Sequence, residues 1–81
     1  MNIQLIQGQF SIKDAVDIIT QMVQIKIKFQ EDKIQHSSNE EDIKMREGRI
    51  KQLQTTLMEA KKYIENNGEK VSIRSEIHLA G

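Results

Sequence analysis

The sequence predicts a mainly helical fold, an antiparallel two-helix hairpin flanked by short terminal β-strands in the order β-α-α-β. Three observations lead to this prediction. The 81 residues include no proline and only four glycines, so long segments can run without interruption. A seven-residue apolar repeat occupies much of the second half of the chain. Strict alternation of apolar and polar residues follows that repeat, which is typical of a half-buried strand.

The first strand is predicted at about residues 2–7. Ile3 and Leu5 are expected on one face of it, and Gly8 is expected to bend or end it. A helix over about residues 12–35 follows, because Ser11 and Asp14 have the spacing of a capping box. Its apolar residues recur at helical spacing and cover a wider arc than a single partner helix can bury.

The second helix is predicted over about residues 39–66. Ser38 and Glu41 have the spacing of a second capping box, and the tripeptide 66–68 (Asn-Asn-Gly) predicts a left-handed C-terminal cap. Arg46 interrupts an otherwise apolar heptad repeat. The repeat consists of Ile43, Ile50, Leu53, Leu57, Ala60 and Ile64.

A last strand is predicted over about residues 70–79, where apolar and polar residues alternate. The connector between the helices has only about four residues, so the helices must lie antiparallel. Both strands therefore emerge at the same end of the hairpin, where they can pair with each other. The whole chain, 1–81, is expected to form a single domain.

The chain is expected to form a homodimer, completed as a four-helix bundle. A chain of this length buries only roughly 60% of its unfolded surface when it folds alone. It has no cysteine, so disulfides cannot compensate. The apolar surplus of the first helix, together with seam and strand positions, gives the candidate oligomer interface: Ile18, Met22, Ile25, Phe29, Ile50, Leu57, Ile73 and Ile77.

Nucleic acid is disfavoured as a partner. The 12 Lys and Arg residues are balanced by 12 Asp and Glu residues, and no segment carries a basic excess. The densest cationic stretch would supply the candidate contacts, but it contains no aromatic residue for base stacking. These candidates are Lys44, Arg46, Arg49 and Lys51.

Three other features of the helices leave alternatives open. Arg46 either pairs with Asp32 or Glu31 of the first helix or extends its stem to the solvent edge. Gly48 either permits close approach of another helix or is merely tolerated there. Met45 and Met58 could join Tyr63 in an outward apolar patch.

No catalytic, cofactor or metal signature stands out, so the chain is expected not to be an enzyme. We favour a non-enzymatic homodimeric interaction or structural module, and an additional, unidentified protein partner is left open. The alternatives are a small nucleic-acid-associated or regulatory protein, or a small enzyme using Arg74, Glu76 and His78 at a dimer interface. Neither a signal peptide nor a membrane-spanning run is evident, so the expected location is the cytoplasm.

Overall fold

The fold is β-α-α-β, as the sequence predicted. A computed structural model describes residues 1–81. Strand β1 spans Asn2–Ser11, helix α1 Ile12–Gln35, helix α2 Glu40–Glu65 and strand β2 Lys70–His78. The two strands form a single antiparallel ribbon.

The helices lie side by side and antiparallel. Gln30 in the second half of α1 bonds to Arg46 near the start of α2, whereas Lys26 faces residues further along α2. Every heptad position of α2 is half-buried or buried, including Arg46, and nearly all of its other residues are exposed. The side chains of α1 that face this seam are half-buried and have the same spacing: Val16, Thr20, Val23, Ile27, Gln30 and Ile34.

The caps confirm one predicted helix start and correct the other. The backbone N–H of Asp14 donates to Ser11 Oγ over 3.1 Å, as the first capping box requires. The second helix is capped by Asn39 and not by Ser38. Asn39 Oδ1 accepts from the backbone N–H groups of Glu41 and Asp42, at 2.9 and 3.1 Å. At the other end of α2, the left-handed conformation lies at Gly68, whose φ is +91°.

Strand β1 is longer than predicted and carries a β-bulge. It continues through Gly8 to Ser11, because each residue from Ile6 onward is paired with β2. The register shifts between Gln4 and Ile6, which leaves Leu5 without a partner. Leu5 is 50% exposed, but it lines the same groove as Ile77, the register partner of Ile3, in agreement with the predicted common face of Ile3 and Leu5.

The molecule is thin and encloses almost no core. Its Cα atoms span 46 × 32 × 13 Å. Only Ala15 and Ile64 are buried, 2 of 81 residues. Stable domains bury apolar faces between packed layers, and very little of this chain is buried in that way.

Candidate functional site

An apolar stripe on α1 lies on the side of the helix away from α2. At about 100° per residue, this stripe is centred roughly 150° from the seam. Ile18 and Met22 in it are half-buried, whereas Ile25 is 71% exposed and Phe29 is 55% exposed. Lys33 Nζ lies 5.5 Å from the centre of the Phe29 ring, so the far end of the stripe carries a cation over an aromatic face. The sequence predicted these four apolar residues as interface candidates.

Met22 and Ile25 of the stripe belong to one wall of an open apolar groove of about 440 Å³, together with neighbouring residues of α1. The ribbon forms the other wall through Leu5 of β1 and Ile77 of β2, which is 39% exposed. Lys26 is the only lining residue that is not hydrophobic, and its stem can lie along the rim with the ammonium in water. The six hydrophobic lining residues are Leu5, Ile19, Met22, Val23, Ile25 and Ile77.

The structure divides the eight predicted interface residues into two groups. Those on α1, together with Ile77, lie in or beside the groove. Ile50 and Leu57 lie in the seam with α1, and Ile73 lies on the half-buried face of the ribbon. These last three are already engaged in packing within the chain.

Sequence reasoning missed three groove residues. Ile19 and Val23 were detectable, because they extend the apolar arc of α1 beside Met22. Leu5 was not, since its place in the groove depends on how the ribbon lies against α1.

The four predicted cationic contacts do not form one patch. Lys44 and Lys51 lie on one side of α2, and Arg46 and Arg49 lie roughly on the opposite side, toward α1. Arg49 lines a polar groove of about 490 Å³ between the helices. The other residues of this groove are Lys26, Gln30, Gln52, Leu53 and Thr56.

Arg46 is half-buried, and its guanidinium pairs with partners that the sequence did not predict. Its Nε lies 3.2 Å from Asp42 Oδ2, one turn earlier in the same helix, and its Nη1 donates to Gln30 Oε1 over 2.8 Å. The predicted partners Asp32 and Glu31 are not used. The Arg46 hydrogen bond, followed by a hydrogen bond from the Ser37 side chain, holds the pKa of Asp42 below its ordinary value of 3.8.

The exposed apolar residues outside the groove do not form the predicted outward patch. Met45 and Tyr63 lie on one line of α2 but about 27 Å apart along the axis. Met58 lies roughly 140° around the helix from that line. Gly48 is exposed, and a methyl group added to it would meet no atom within 4 Å.

The histidines and their neighbours form no cluster suited to metal binding. His78 Nδ1 is hydrogen-bonded to Asn2 Oδ1, and its neighbours Arg74 and Glu76 are exposed on the polar face of the ribbon. His36 lies in the connector, with Nδ1 2.8 Å from the carbonyl oxygen of Asp32. No group of three or more His, Cys, Asp or Glu side chains is placed to hold a metal ion.

Comparison of the chain with protein-family models, with curated proteins and with solved structures finds no match. Neither helix combines the length and the apolar character needed to cross a bilayer.

Proposed function

We propose that the chain is a non-enzymatic homodimeric interaction or structural module of the cytoplasm, with the α1 groove as its subunit interface. The observation that carries this proposal is the near absence of a core. Only two of 81 residues are buried, and the Cα atoms span 13 Å in the thinnest direction. A second copy placed against the groove covers its apolar residues and gives a four-helix assembly.

The exposed area supports a dimer. The chain has 6523 Å² of accessible surface, whereas a compact monomer of its mass would have roughly 5,000 Å². The excess of about 1,500 Å² meets what a specific interface requires, since each partner typically loses about 800 Å². The surplus of exposed surface is therefore large enough for an interface of ordinary size.

The chemistry of the groove also favours a copy of this chain over a charged partner. Lys26 is the only charged residue that lines it, so closing the groove costs little desolvation of charge. Ile25 and Phe29 project at the centre and far end of the stripe, and can enter the groove of a second copy related by twofold symmetry. Because the chain has equal numbers of positive and negative residues, two copies do not repel each other through net charge.

A matched pair of variants tests this assignment. Ile25→Glu puts a carboxylate into the proposed interface, and Met58→Glu puts one on α2 outside it; the native side chains are 71% and 60% exposed. We expect Ile25→Glu to weaken the dimer by about 100-fold or more, because each copy must bury an unpaired charge. Met58→Glu should leave the dissociation constant unchanged. If sedimentation equilibrium shows that both substitutions weaken the dimer equally, the interface lies elsewhere.

A further inference from the structure

The ribbon has two free edges, and they differ in charge. A two-stranded sheet leaves one row of backbone N–H and C=O groups unpaired on each strand. Proteins protect such edges with charged side chains. Strand β2 follows this rule, with Lys70, Arg74 and Glu76, whereas β1 has no charged residue anywhere in Asn2–Ser11. The edge of β1 therefore lacks the charges that would prevent pairing with another strand.

The register identifies which backbone groups lie on that edge. Met1 and Leu79 exchange hydrogen bonds of 2.7 and 2.9 Å across the ribbon. Hydrogen-bonded and non-hydrogen-bonded residue pairs alternate along antiparallel strands, and β2 has no bulge that would interrupt this alternation. Counting back from Leu79, every second residue of β2 bonds to β1, so Ser72 and Arg74 direct their backbone N–H and C=O groups away from β1. Their register partners, Gln9 and Gln7, likewise direct theirs outward from the free edge of β1.

We propose that the β1 strands of two copies pair antiparallel around Gly8, giving a four-stranded sheet in the order β2-β1-β1-β2. This inference rests on the proposed homodimer. Gln7 of each copy then exchanges both of its backbone hydrogen bonds with Gln9 of the other, which satisfies the outward groups just identified. Gly8 lies on the twofold axis, where it has no side chain to oppose its own copy.

A second copy of β1 suits this edge better than β2 would. The opposed side chains of Gln7 and Gln9 are amides, which can hydrogen-bond to each other. Strand β2, by contrast, carries long charged side chains such as Lys70 and Arg74, and it has no glycine to place on the twofold axis. The half-buried face of β1, which includes Ile6 and Phe10, also becomes continuous with that of the second copy, so the sheet extends the apolar surface of the α1 groove.

The proposed strand order places both β2 strands on the outside of the sheet. The two β2 strands are then three strand spacings apart, about 14 Å. Arg74, Glu76 and His78 of the two copies therefore do not meet, and the arrangement leaves no shared catalytic site between them.

Proline substitution at two paired positions tests the proposal. Gln9 and Ser72 face each other, and neither uses its N–H within the ribbon, so proline at either site removes only an edge donor. Gln9→Pro should raise the dimer dissociation constant about 10-fold or more, since the symmetric contact loses a hydrogen bond in each copy. Ser72→Pro should leave the constant within about two-fold. The inference is overturned if Ser72→Pro raises the dissociation constant more than Gln9→Pro does, or if Gln9→Pro has no effect on it.

Amide hydrogen exchange on the unmodified protein gives an independent readout if proline disturbs folding. We expect the Gln7 and Gln9 amides to be protected, and to lose protection on dilution, while the Ser72 and Arg74 amides exchange fast. A dimer in which all of these amides exchange equally fast overturns the β1 pairing but leaves the proposed homodimer standing. A folded monomer at every concentration overturns both.

Discussion

Arg46 of α2 donates a hydrogen bond from Nη1 to Oε1 of Gln30 in α1, over 2.8 Å. This contact lies in the seam between the helices, at a heptad position that is apolar elsewhere in α2. The same guanidinium binds Asp42 through Nε. A polar residue in the seam is thus satisfied by one partner from each helix, which fixes how the helices align along their length.

The lowered pKa of Asp42 predicts a pH-dependent contribution to stability. Because the folded-state pKa lies below the ordinary value of 3.8, the contribution is present above that value and is lost as the pH falls through the folded-state pKa. Asp42→Asn should therefore lower the free energy of unfolding near neutral pH. The difference from the native protein should shrink toward zero in acid. Urea denaturation across this pH range measures it.

Glu59→Gln provides the control for that experiment, because Glu59 is exposed on α2 and makes no ion pair. It should change the stability little at any pH. If the effect of Asp42→Asn is as large in acid as at neutral pH, the charged hydrogen bond from Arg46 is not its cause.

The N-terminal cap of α2 predicts that alanine substitution lowers the stability at one residue and leaves it nearly unchanged at the residue before it. Asn39→Ala removes the acceptor for the N–H groups of Glu41 and Asp42, and should cost about 1 kcal/mol of stability. Ser38→Ala should change the stability little, since Asn39 caps the helix. Chemical denaturation of both variants measures the difference. A larger loss from Ser38→Ala would restore the capping box that the sequence predicted.

The elements that could be predicted from sequence are those in which apolar residues recur at a regular spacing. The heptad repeat located the α2 seam correctly, from Ile43 to Ile64, because a helix facing one neighbour repeats its contacts every seven residues. The alternation in the last segment likewise located β2 and its half-buried face. In both cases the pattern extends over many residues, so one exception such as Arg46 does not obscure it.

The features that could not be predicted depend on a choice between equivalent residues or on pairing. Ser37, Ser38 and Asn39 are all good capping residues, and their order alone does not say which one accepts the first N–H groups. The sequence predicts that Gly8 bends or ends the strand, but pairing with β2 carries the strand past it. The apolar stripe of α1 is visible in the sequence, whereas the ribbon wall of the groove depends on how the ribbon lies against α1.

The open surroundings of Gly48 predict that alanine stabilises the protein. A methyl group there meets no atom within 4 Å, and alanine is favoured over glycine inside a helix by about 1 kcal/mol. For a domain of this size the Tm should rise by about 4–8 °C at constant protein concentration. Thermal denaturation followed by circular dichroism measures the shift. A lower Tm together with a weaker dimer would show instead that a second helix packs closely against Gly48.

One copy of this chain has almost no core, and we infer that it gains one by pairing with another copy. Sedimentation equilibrium of the unmodified protein at micromolar concentration measures whether this pairing occurs. We expect a species of twice the chain mass of 9.4 kDa, which dissociates only on dilution and with loss of helical structure. A 9.4 kDa species that keeps its full helical signal and unfolds cooperatively would contradict it.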